Sequence, residues 1–105
     1  MPVAPDYMKK AAEKALKARA ELPKSRKAGT YIGLARANQL IKGENLSLNT
    51  LVRMRSFLLR HRENYERAVK AKLNNSNSKV IQAVNLWGGM RALTWLNTTI
   101  NALQK

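Results

Sequence analysis

The side chains that could perform acid–base or nucleophilic chemistry are few and scattered. The sequence holds six carboxylates, one histidine and no cysteine. Most carboxylates lie beside lysines or arginines at helix-surface spacing, and Glu63 with Arg67 forms an ordinary i, i+4 pair. His61 falls on the apolar side of a predicted helix, where a hydrogen-bonded core histidine is the commoner role. No nucleophile, base and orienting acid can be assembled from these residues, so we expect no enzyme.

Metal and cofactor sites are also not expected. The absence of cysteine rules out disulfides and thiolate ligands, and a single histidine rules out the usual His/Cys zinc clusters. The basic loop from Lys24 to Gly29 lacks the Gly-Lys-Ser/Thr ending of a phosphate-cradling loop. We therefore expect no cofactor.

The charge balance is the most informative property of the composition. Twenty lysines and arginines face six acids, which gives a formal net charge of +14 on 105 residues. A small domain with this surplus repels itself, so a polyanionic partner is the natural explanation. A cationic protein that is merely soluble is the alternative.

The cations most suited to phosphate contacts lie in three stretches of the chain. One is the basic loop, another is the start of the second predicted helix, and the third is a set of arginines seven residues apart on a long helix. Two lysines of the first helix would extend the patch. The predicted nucleic-acid-binding residues are Lys14, Lys17, Lys24, Arg26, Lys27, Arg36, Arg53, Arg60 and Arg67. Such side chains read phosphates rather than base edges, so we expect salt-dependent binding with little sequence preference.

The element that positions most of these arginines is a long helix predicted from Ser47 to Leu73. Ser47 supplies the N-cap oxygen, and Leu46 with Leu51 can form the hydrophobic staple. At 100° per residue its apolar arc covers more than half of the circumference, which predicts packing on more than one side. We expect this helix to contain the most buried residues, with near-complete burial of Leu51, Met54 and Leu58.

The remaining pattern predicts a single all-α domain, a compact bundle of about five helices around the long helix. Its parts are a basic N-terminal segment (1–23), a helix–turn–long-helix core (30–73) and a C-terminal helix pair (78–105). The first helix, from Asp6 to about Leu22, is rich in alanine and lysine, so we expect it to lie on the surface. Thr30 is the expected cap of the second helix, which spans 31–42.

The C-terminal pair is predicted to break at Gly88-Gly89, because two adjacent glycines disfavour a continuous helix by roughly 2 kcal/mol. Trp87 and Trp95 are expected to anchor these helices on the long helix, with base stacking as the alternative. The last helix carries a narrow apolar seam that would permit a homodimer, formed by Leu93, Leu96, Ile100 and Leu103.

The second helix, the turn from Gly43 to Leu46 and the start of the long helix together are helix-turn-helix-like. Asn49, Thr50 and Arg53 would then be the side chains that reach bases. A plain packing corner is the alternative.

Two separated motifs resemble a small module of tailed-phage proteins. The first joins Gly33-Leu34-Ala35-Arg36-Ala37 to Leu46-Ser47, Arg53-Met54, Ser56-Phe57 and Arg60-His61. The second is Leu86-Trp87-Gly88-Gly89 followed by Trp95, and the match spans residues 26–96. The resemblance implies a phage source but no activity. In that module an acidic residue often follows the two glycines, whereas Met90-Arg91 follow here.

Two functions therefore stay open. The first is a phage-encoded DNA- or RNA-binding protein. The second is a protein–protein adaptor, either a virion component or a protein that binds or inhibits a host enzyme, and its partner would offer an acidic protein surface. The first residues lack the apolar region of a signal peptide, and no run approaches a membrane span. We expect the host cytoplasm or the virion, and no membrane partner.

Overall fold

The computed structural model describes residues 2–27 and 31–105. Within these ranges there are five α-helices and one short 3₁₀ turn (Lys24–Arg26). Apart from an isolated bridge between Val3 and Asn45, these residues form no β-structure. The all-α prediction is confirmed. The helices are α1 (Asp6–Ala20), α2 (Tyr31–Lys42), α3 (Leu48–Lys70), α4 (Lys79–Leu86) and α5 (Ala92–Leu103).

The helix ends follow from local capping chemistry. The Ser47 hydroxyl accepts a hydrogen bond from the Thr50 amide at 3.1 Å, as the sequence predicts. Ser78 caps α4 in the same way through the Ile81 amide at 3.3 Å. The predicted Thr30 cap lies outside the described residues.

The long helix ends earlier than predicted. α3 stops at Lys70, and Lys72 adopts a left-handed conformation with φ 62°. The Leu73 amide then donates to the Ala68 carbonyl at 3.0 Å, which closes the last turn. This is the Schellman type of ending, here built without glycine, and a sequence pattern does not signal it.

The N-terminal helix is a core element, which corrects the prediction of a surface helix. Met8, Ala12 and Ala15 of α1 are fully buried, and α1 packs mainly on α4 and α2. Alanines at this spacing let neighbouring helices approach closely, so small side chains here are an aid to packing. The lysine-rich opposite face remains exposed.

The long helix is less dominant than predicted. Leu51, Met54 and Leu58 are fully buried, as expected. However, the much shorter α4 buries as many residues as α3 does. Leu59 is 51% exposed and Val69 is 49% exposed, so the prediction that α3 packs on more than one side through a broad apolar arc is wrong. α3 buries a single stripe of residues and packs on α4 and α5.

The Gly88-Gly89 corner breaks the C-terminal segment as predicted. Both glycines have positive φ, 101° and 86°, which other residues rarely adopt. A Cβ on Gly88 would lie 2.8 Å from Met8 Cε, so the glycine corner also packs closely against α1. This contact between the corner and α1 was not predicted.

Most of the large apolar side chains predicted to anchor the C-terminal half are fully or partly buried within the folded chain. Trp87 is only 8% exposed and stacks on Phe57 of α3, which confirms its predicted packing on the long helix. Leu96 and Ile100 of the predicted seam are fully buried, and α5 packs on α3. The seam is thus largely used within the chain, and the homodimer stays a prediction without that support. No helix in ranges 2–27 and 31–105 has the length and apolarity needed to cross a bilayer.

Candidate nucleic-acid interface

A groove separates the two helices that resemble a helix-turn-helix. α2 packs mainly on α1 and α4, whereas α3 packs mainly on α4 and α5. The two helices leave between them an open groove of about 460 Å³. Residues of α2, of α3 and one tryptophan line it: Ile32, Arg36, Val52, Arg53, Ser56, Phe57, Arg60, His61 and Trp87. This is called the α2–α3 groove below.

Trp87 is the residue that holds the two helices at this spacing. Its ring is stacked on Phe57 of α3, with centroids 4.3 Å apart and planes 8° apart. At the Nε1 edge of the ring, Gly33 of α2 approaches so closely that a Cβ there would lie 3.3 Å from Trp87 Nε1. The glycine and the buried indole together set the distance between α2 and α3.

Arg36 lies against this indole with part of its guanidinium buried. The guanidinium carbon is 5.4 Å from the centre of the Trp87 ring, a cation–π arrangement. One terminal nitrogen donates to the Gln39 side-chain oxygen, while Nε is buried without a hydrogen-bond partner. Burial lowers the pKa of Arg36, and repulsion from Arg53 lowers it further. The folded protein therefore holds this positive charge in an unfavourable place.

Arg53 and Arg60 bring two further charges to the same groove. Both are exposed on α3 and line the groove with Arg36, and no carboxylate lines it. The ion pairs among the described residues are Lys10–Asp6, Arg62–Glu66 and Arg67–Glu63, so none neutralises a groove arginine. The α2–α3 groove thus concentrates uncompensated positive charge.

His61 lines the groove and is half-buried, which differs from the enclosed core histidine expected from the sequence. Its ring centroid lies 4.5 Å from that of Phe57, with the rings tilted by 48°. Burial lowers the pKa of His61 below its ordinary value, and the neighbouring Arg60 charge lowers it further. His61 therefore adds little charge near neutral pH and more in acid.

The other predicted contact residues do not line this groove. Arg26 lies instead in a second hollow of about 350 Å³, beside the loop at the start of α4. Arg67 is paired with Glu63 at 2.7 Å. Lys14, Lys17 and Lys24 are exposed and Lys27 is half-buried. Of the nine predicted residues, the structure brings Arg36, Arg53 and Arg60 together in the groove.

The base-reading side chains proposed for a helix-turn-helix differ in their availability. Asn49 and Arg53 are exposed at the start of α3. Thr50 is half-buried, and the Ser47 hydroxyl lies 3.0 Å from its Oγ1. Because α2 packs mainly on α1 and α4 and a groove lies between α2 and α3, the pair differs from a helix-turn-helix whose helices pack directly on each other.

Several groove residues were not predicted as part of the site. The side of α3 that carries Arg53, Phe57 and Arg60 can be read from their three- and four-residue spacing. The position of Ile32 in the groove depends on the packing of α2 on Trp87, which joins residues that are far apart in sequence. Lys79 beside Arg26 was likewise missed because the two are far apart in sequence.

No protein-family model, no curated protein and no solved structure matches this chain.

Proposed function

We propose that this chain is a small phage-encoded nucleic-acid-binding protein that acts mainly through phosphate contacts in the α2–α3 groove. The observation that carries the proposal is the meeting of Arg36, Arg53 and Arg60 in one groove that no carboxylate lines. Guanidinium groups bind phosphate oxygens with good geometry, and release of counterions favours the complex. Contacts of this kind carry little sequence preference. No catalytic step and no cofactor form part of the proposal.

The motifs that resemble the tailed-phage module support this choice of site. The first motif contributes Arg36, Arg53, Phe57, Arg60 and other groove residues, and the second contributes Trp87. These positions are far apart in sequence yet line the same groove. Their meeting in one groove is the reason for choosing this surface as the binding site.

The remaining predicted cations extend the proposed contact outside the groove. Arg26 shares its hollow with Lys79 and three polar loop residues, which could hold a phosphate farther along a strand. Lys14, Lys17, Lys24, Lys27 and Arg67 would add long-range attraction, with Arg67 weakened by its pairing with Glu63.

Fluorescence anisotropy with labelled DNA and RNA tests the proposal. We expect binding at about 50 mM salt, and the double variant Arg53→Ala/Arg60→Ala should weaken it roughly a hundredfold. The slope of log affinity against log salt should become shallower by roughly two units.

Lys14→Ala/Lys17→Ala is the matched control, since it also removes two exposed helical charges but leaves the groove intact. We expect it to weaken binding far less. Equal losses in the two variants would show that general charge rather than the groove binds, and no binding to either nucleic acid would refute the proposal.

One observation favours the adaptor as a second candidate. α2 begins with Tyr31, 88% exposed, and Ile32, 56% exposed, and Ile32 lines the groove beside the arginines. Apolar side chains next to cations would suit an acidic protein segment with its own apolar residue. A labelled acidic peptide in the same anisotropy assay distinguishes the two functions.

A further inference from the structure

The size of the α2–α3 groove bears on which nucleic acid it can admit. Its volume of about 460 Å³ is that of a pocket for a small organic ligand, for which about 300–1,000 Å³ is typical. A double helix is far wider than the gap between two neighbouring helices and can only lie across its rim. One strand can enter the groove.

The groove also has two kinds of wall, which a single strand can use together. Arg36, Arg53 and Arg60 offer positive charge for phosphates. Ile32 and Val52 offer apolar surface, and Ile32 is 56% exposed. In a duplex the bases are stacked inside and cannot reach such a surface, whereas an unpaired base can.

We infer that the α2–α3 groove binds single-stranded nucleic acid, with its phosphates on the three arginines and an unpaired base against Ile32 and Val52. This inference rests on the proposed function and names its substrate. The base does not stack on Trp87, because that ring is 8% exposed and its face is covered by Phe57. The indole instead fixes the width of the site.

The state of Arg36 without a ligand fits this role. Its guanidinium is held in place by the hydrogen bond to Gln39 and by the Trp87 ring. It faces the positive charge of Arg53 across a groove that no carboxylate lines. A phosphate bound by both side chains removes this repulsion, and Arg36 is already held in position to receive it.

The test compares a labelled pyrimidine single strand with a labelled hairpin duplex of the same number of nucleotides. At about 100 mM salt we expect the full chain to bind the single strand roughly tenfold more tightly. Ile32→Ser should remove most of this preference and leave duplex affinity and the salt slope unchanged, because it removes apolar surface and no charge.

Val69→Ser is the matched control, since Val69 is similarly exposed on α3 but does not line the groove. It should leave the preference intact, and circular dichroism should show that both variants keep their helicity. Equal affinity for both ligands, or a preference untouched by Ile32→Ser, would overturn the inference while the proposed function stands. Binding of neither ligand, with binding of a glutamate-rich peptide, would overturn both.

Discussion

The three groove arginines are of two kinds: two are exposed and one is partly buried. Arg53 and Arg60 are exposed, so we expect them to affect binding and stability mainly through their charge. The Arg36 guanidinium lies over the Trp87 ring, while burial and the charge of Arg53 lower its pKa. The positive charge of Arg36 would therefore favour phosphate binding but disfavour the folded state.

Arg36→Met should separate these two demands. Methionine keeps an unbranched apolar stem over the indole but removes the charge. We expect the free energy of unfolding, measured in urea, to stay within about 0.5 kcal/mol or to rise. Nucleic-acid affinity should fall roughly tenfold. A loss of more than about 2 kcal/mol would show that the charge stabilises the fold.

His61 gives the stability a pH dependence of known sign. Because its folded-state pKa is lowered, the folded protein binds this proton less readily than the unfolded chain does. The free energy of unfolding is therefore not reduced by His61 above about pH 6.5, the pKa of histidine in the unfolded chain. It falls as the pH drops from there through the lower pKa of His61 in the folded protein. The charged residues that share its groove are Arg36 on α2 with Arg53 and Arg60 on α3, and the charge of Arg60 opposes its protonation.

Urea unfolding at pH 7.5 and pH 5.5 tests this dependence. The wild type should lose more stability between the two pH values than His61→Asn does. An equal loss in both proteins would place the acid sensitivity elsewhere in the chain.

At the scale of elements, local chemistry predicted more than long-range packing did. Ser47, Ser78 and the glycine pair mark helix boundaries because capping and positive φ depend on adjacent residues. The burial of α1 could not be predicted, since alanines suit either a solvated helix or a close contact until the partner is known. The groove could not be predicted for the same reason: Arg36 of α2 and Phe57 of α3 both contact Trp87, a residue of a third segment.

Gly88→Ala tests the contact between α1 and the glycine corner. The added methyl would adopt an unfavourable φ and meet Met8 Cε at 2.8 Å and Met8 Cβ at 3.2 Å. We expect a loss of about 2–3 kcal/mol in the free energy of unfolding.

Gly43→Ala is the matched control because Gly43 also has positive φ, 67°, but a Cβ there would meet only Lys9 Nζ at 3.9 Å. It should cost about 1 kcal/mol, which is the backbone contribution alone. Equal losses in the two variants would mean that Met8 yields freely at the corner.

At the scale of the whole molecule, the net charge of +14 makes salt act on folding and on binding in opposite directions. Salt screens repulsion among the lysines and arginines and so favours the compact state. It also competes with phosphate contacts.

Raising sodium chloride from about 20 to 300 mM should therefore raise the melting temperature by several degrees. The same change should lower nucleic-acid affinity by two orders of magnitude or more. Calorimetry and anisotropy on one salt series measure both. A melting temperature that falls with salt would show that attractive ion pairs dominate the folded state.

The close packing of Met8 against Gly88 also has a consequence for how the chain folds. Almost the whole sequence separates these two residues, whereas α2, on which α1 also packs, follows α1 closely in the chain. During synthesis α1 can therefore meet α2 early, while its contact with α4 and the glycine corner has to form after the C-terminal half has been made. Because closing a long loop costs conformational entropy, we expect this second contact to form late in folding.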